Sequence, residues 1–154
     1  MELDWASGDV IVADGVEVAR AERSWWRERA EVQVGPELWG YRSEGGWTRS
    51  TLVGELDGAV RLRATRTGFF SSRWVVEGGP EPLEVATSGW WGTRLSISRA
   101  GGVIGEARTS GFFTTRSRIT LSEPVSTQVG CFLLWVAHVE LNRRQSSAGA
   151  GAST

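Results

Sequence analysis

One pattern constrains this chain more than any other. Small or polar residues followed by aromatics recur at a nearly constant step. The runs RSWW, GGW, TGFF, SGWW and SGFF place their first aromatics at positions 25, 47, 69, 90 and 112, so the steps are 22, 22, 21 and 22 residues. A second series of turn signals lies between them: Asp14-Gly15, Gly35-Pro36, Asp57-Gly58, Gly78-Gly79-Pro80 and Gly101-Gly102. The two series interleave, so the chain turns about every 11 residues. Asp-Gly and Gly-Gly supply the positive φ angles that tight hairpin turns need.

Segments of about 8 residues between turns are too short for helices and suit strands. Their alternation agrees. After Trp25, one parity carries Trp26, Ala30, Val32 and Val34, and the other carries Arg27, Arg29, Glu31 and Gln33. Phe70, Trp74 and Val76, then Trp91, Leu95 and Ile97, then Phe113, Ile119 and Leu121 repeat that apolar face. Period two with one apolar face means antiparallel strands that are wet on one side. The turns divide residues 2–121 into about twelve strands, six hairpin-like units of about 22 residues.

The end of the chain changes period. Ser122 is a candidate cap, Pro124 suits a first helical turn, and VSTQVGCFLLWVAHVELNRR follows. Its apolar residues, from Val129 to Leu141, cover every side of a helical wheel, so this helix must be buried all round. Residues 1–145 therefore read as one domain with a helix at about 124–144. SSAGAGAST, within 146–154, reads as a disordered tail.

A twelve-strand meander exposes two edges unless it closes. A closed barrel of that size is wider than side chains alone can fill. A helix about 10 Å across fits the space. The expected fold is all-β with one helix: a closed antiparallel barrel around a buried hydrophobic C-terminal α-helix. A smaller barrel or sandwich with the helix outside would need a polar stripe on that helix, and only His138 interrupts Val129–Val139.

Composition narrows the function. The chain has 17 basic residues, all Arg, against 18 acidic ones, for a formal charge of −1. That balance argues against a general nucleic-acid binder. One Cys and one His leave no disulfide framework, no Cys-rich zinc site and no obvious catalytic triad. GELDG and GGVIGEA lack the lysine of a phosphate-binding loop. Glu81 and Glu84 read as solvated charges. No cofactor, no metal and no enzymatic activity are expected. The acidic start MELDWASGD has no apolar signal region, and the longest apolar stretch is short of the roughly 20 residues of a spanning helix. A cytoplasmic protein is expected, peripheral at a membrane if it binds lipid.

The turns TGFFSSRW, SGWWGTRL and SGFFTTRS and the helix QVGCFLLWVAHVEL give the chain a resemblance to the tubby C-terminal-like superfamily, which includes the LURP-one-related proteins and the phospholipid scramblases. The resemblance spans residues 1–145 and is architectural: twelve strands around a hydrophobic helix, here in a small bacterial member. Because members bind phosphoinositides or act at membranes, it implies an anionic phospholipid or a membrane surface as a partner. A protein partner is the other possibility.

The candidate binding residues come from the pattern itself. Arg29, Arg73, Arg94 and Arg116 each lie three residues after the second aromatic and share the outward parity of Trp25, Phe69, Trp90 and Phe112. With Trp47, these aromatics would ring one rim above a row of Arg, a combination suited to an anionic interface. A structural reading competes, in which these Arg pair with outward Glu84 or Glu106. A further alternative is a small hydrophobic ligand or a carbohydrate held against exposed Trp. His138 and Cys131 are expected to be core residues.

Overall fold

The computed structural model describes residues 1–7, 9–24, 28–44, 50–67, 73–88, 94–110 and 116–152. The alternation read from the sequence forms twelve strands: β1 (Glu2–Ala6), β2 (Val10–Ala13), β3 (Val16–Ser24), β4 (Arg29–Val34), β5 (Glu37–Glu44), β6 (Thr51–Leu56), β7 (Ala59–Thr67), β8 (Arg73–Glu77), β9 (Leu83–Ser88), β10 (Arg94–Arg99), β11 (Gly102–Ser110) and β12 (Arg116–Leu121). Each pairs antiparallel with its sequence neighbours, and β1 pairs with β12 to close the barrel. Closure sets Leu3 opposite Ile119 and Asp4 opposite Arg118. The terminal ammonium of Met1 donates to the Leu121 carbonyl at 2.8 Å, and the Leu121 N–H donates to the Met1 carbonyl at 2.7 Å. No free sheet edge remains.

Where it is described, the inner face carries the parity expected of it; Trp26, Phe70, Trp91 and Phe113 lie outside the described residues. Ala30, Val32, Val34, Trp74, Val76, Leu95, Ile97, Ile119 and Leu121 are all buried. The lumen holds the C-terminal helix, α1 (Thr127–Ala152). Every residue from Val129 to Leu141 is buried, on all sides of the helix. Tyr41 on β5 stands edge-on to Phe132 at 5.3 Å between ring centroids and lies 5.3 Å from Trp135, so wall and helix interlock through aromatics.

Both ends of the helix differ from the expected 124–144. Its cap is Ser126 rather than Ser122: the Val129 N–H donates to Ser126 Oγ at 3.2 Å and the Gly130 N–H to the Ser126 carbonyl at 2.8 Å. Ser122 instead donates its hydroxyl to the Ile104 carbonyl at 3.0 Å. Residues 122–126, Pro124 among them, carry the chain from the wall to the barrel axis before a helix can start. At the other end the helix runs on to Ala152, through most of the segment expected to be a disordered tail.

The turns also resolve a finer spacing. Paired positive φ angles occur at Asp14-Gly15, Asp57-Gly58 and Ala100-Gly101, 43 residues apart. β-Bulges follow the same step, opposite Ile11/Val12, Gly54/Glu55 and Ile97/Ser98. Gly35 and Gly78 supply the intervening turns with single positive φ angles. Hairpins thus alternate in kind, and the geometry recurs every four strands. Ala100, at φ 50°, is the least suited residue in the paired set. Ala100→Asn makes an Asn-Gly turn and is expected to stabilise the protein by about 0.5–1 kcal/mol in urea unfolding.

Many outward positions are polar or charged, as on β4, where Arg29, Glu31 and Gln33 are exposed, but Val16, Leu38, Val60 and Val103 are exposed as well. Among the described residues, no helix is long and apolar enough to cross a membrane.

Candidate binding surface

The barrel has two distinct ends. One bears the tight turns and the start of α1. At the other, Ser24 and Arg29, Thr67 and Arg73, Ser88 and Arg94, and Ser110 and Arg116 face each other across hairpin ends. The segments between these strand ends carry the aromatic runs. Trp25, Trp47, Phe69, Trp90 and Phe112 themselves lie outside the described residues.

The four candidate arginines are each the first residue of a strand: Arg29 of β4, Arg73 of β8, Arg94 of β10 and Arg116 of β12. Their position is regular, but their surroundings are not. Arg73 ion-pairs with Glu84 on β9, so the structural reading holds there. Glu106 stands opposite Ser96 and Thr120 instead. Arg29 faces Arg42 across β4 and β5. Arg42 is held by Glu55 and, at 2.9 Å, by Glu44.

The remaining two belong to a cluster. Arg94 on β10 lies directly opposite Arg108 on β11, and Arg108 lies directly opposite Arg118 on β12. Arg116 is two residues along β12, on the same outward parity, opposite Ser110. The cluster therefore draws four guanidinium groups from three strands. Asp4 answers one of them, pairing with Arg118 at 2.7 Å, while Glu2 is 4.0 Å from it. The hydrogen bond that Arg118 donates to Asp4, with the Asp4 charge, raises the Arg118 pKa above its ordinary value. Among the described residues, no carboxylate forms an ion pair with Arg94, Arg108 or Arg116. Like charges directly opposite on a sheet are unfavourable, so this row costs stability.

Arg108 and Arg118 were not among the residues picked out by the pattern. The signal was present in the spacing: β11 pairs antiparallel with β12, which sets Arg108 and Arg118 in register.

Three polar side chains on the C-terminal helix, His138, Glu140 and Arg143, are engaged elsewhere. His138, 3% exposed, shares a 2.8 Å hydrogen bond between Nδ1 and Ser117 Oγ, and its ring lies 5.2 Å from that of Trp5. Glu140 accepts from Trp74 Nε1 and from Arg144 Nε, each at 3.1 Å. Arg143 pairs with Glu28 at 2.5 Å and lies 5.5 Å from the Trp74 ring centroid. This network ties the helix to β8 and to Glu28, just before β4. Among the described residues, no group of three or more His, Cys, Asp or Glu is placed to hold a metal ion.

Cys131 is fully buried, and burial pushes its thiol from 9.0 up to about 12. A thiol reagent is therefore expected to label it only as fast as the protein opens, with urea releasing the reaction. The pH dependence follows. Below pH 9 both folded and unfolded states keep the proton, and the group has no effect. Between about 9 and about 12 the unfolded state alone gives it up, so stability falls as pH rises. Tyr41, raised well above its ordinary value by burial, acts in the same direction. Melting temperatures measured across this alkaline range are expected to drop progressively. A flat profile would place both groups outside the core.

Comparison with known protein families, with curated proteins and with solved structures gives no significant match.

Proposed function

We propose that the barrel is a non-enzymatic binding module that docks on an anionic membrane surface through its arginine row. The observation that carries this reading is the in-register set Arg94, Arg108 and Arg118, with Arg116 beside it and only Asp4 and Glu2 in answer. The connections entering β10 and β12 carry Trp90-Trp91 and Phe112-Phe113 in sequence, and aromatics beside cations suit a lipid–water interface. Membership of the tubby C-terminal-like superfamily belongs to the same proposal, supported by twelve strands closed around a hydrophobic helix. A cytoplasmic, peripheral location follows from it.

Vesicle flotation tests the reading. The protein is expected to float with phosphatidylserine-containing vesicles at low salt, to be released as salt rises, and to ignore phosphatidylcholine vesicles. Absence of binding to the anionic vesicles at low salt would overturn it, and a protein partner for the same charges would then be sought.

A further inference from the structure

A cleft of about 530 Å³ opens at the opposite end of the barrel, where α1 begins. It lies between the β8–β9 turn and the crossing segment that follows β12. Leu83, Pro124, Val125 and Val129 give it apolar walls, and Arg99 and Glu81 supply its charges. The volume falls within the range of about 300–1,000 Å³ usual for small-molecule sites.

The polar groups are unequally engaged. Ser126 Oγ is already the helix cap, accepting from the Val129 N–H. Arg99 Nη1 donates to Glu123 at 2.8 Å. On its other side, Arg99 Nε is 3.6 Å from Glu81, beyond hydrogen-bond distance. The Glu81 side chain is 59% exposed, against 26% for Arg99, so Glu81 can leave for water at little cost. A guanidinium held on one edge and loosely faced on the other is half of a bidentate carboxylate site.

We propose that this cleft binds a small amphipathic carboxylate. The apolar body lies against Leu83, Pro124, Val125 and Val129, and the carboxylate displaces Glu81 to take the Nε edge of Arg99. This site is separate from the arginine row, and neither proposal depends on the other.

The test is an NMR titration of the labelled full-length protein with octanoate, 1-octanol and octylamine, all below the concentrations at which they aggregate. Octanoate is expected to give saturable shifts at Leu83, Val125, Ser126 and Val129, and to bind on the order of tenfold tighter than octanol. Each added methylene should tighten binding about fourfold until the cleft is full. Arg99→Gln should remove the preference for octanoate over octanol. Val125→Trp, with folding checked by circular dichroism, should abolish binding of both. If that variant does not fold, the Arg99→Gln comparison decides alone. The proposal is overturned by the absence of saturable octanoate shifts, by octanol or octylamine binding as tightly as octanoate, or by an octanoate preference that survives Arg99→Gln.

Discussion

Phe132→Ala is expected to destabilise the protein by about 3–5 kcal/mol, with the fold otherwise retained. Phe132 is fully buried in α1, edge-on to Tyr41 and 6.0 Å from Trp135. The wall beside it has been thinned to admit it: a Cβ on Gly54 would stand 3.3 Å from Phe132 Cδ2 and 3.3 Å from the Leu62 Cβ. A closed ring of hydrogen-bonded strands cannot collapse inward to refill the space, so the cavity term should be large. Against a total stability of about 5–15 kcal/mol this is a major fraction. Urea unfolding measures it. A loss under about 1 kcal/mol would mean that the helix does not fill the lumen.

The second large effect lies in the wall. Gly105 on β11 sits beside the bulge with β10 and opposite Leu121 on β12. A Cβ there would be 2.1 Å from the Thr120 carbonyl oxygen and 3.0 Å from Leu121 Cα. Both are backbone atoms of a paired strand, so no rotamer change relieves the clash. Gly105→Ala is expected to cost more than the roughly 1–3 kcal/mol of ordinary overpacking and to loosen β11 from β12. Gly102→Ala, whose Cβ would meet only the Arg99 carbonyl at an ordinary 3.6 Å, is expected to stay within about 0.5 kcal/mol. The same unfolding experiment compares them. Equal effects at the two positions would contradict the strand register described above.

Much of the architecture was legible because it depends on parity and period. Trp74 and Val76, or Ile119 and Leu121, point inward because they alternate with polar residues, and alternation survives in a bare sequence. The helix was legible from Val129 to Leu141 because it is apolar on every side. Its ends were not. Pro124 looks like a first-turn residue, but the path from Leu121 on the wall to the axis takes up the residues before Ser126. The 43-residue alternation was hidden because Asp-Gly and Gly-Pro both read as turns, while only the bulges and paired φ angles tell them apart. The candidate surface was half legible. Sequence spacing put Arg29, Arg73, Arg94 and Arg116 at equivalent places, and the structure keeps them there. Which of them is answered by a carboxylate depends on register between strands. That register gives Glu84 to Arg73 and sets Arg94 against Arg108.

That difference is testable by charge reversal in two double variants of equal net charge. Arg94→Glu/Arg108→Glu removes the two leading members of the row. Arg20→Glu/Arg61→Glu makes the same change on β3 and β7, away from the β10–β12 row. Each arginine at an anionic surface is worth about 1 kcal/mol. Binding of the wild type and both variants to phosphatidylserine-containing vesicles at low salt is the deciding measurement. The Arg94/Arg108 variant is expected to bind at least about thirtyfold more weakly while the other variant stays close to wild type. Equal weakening of the two would contradict it, because attraction would then follow total charge and not the row on β10, β11 and β12.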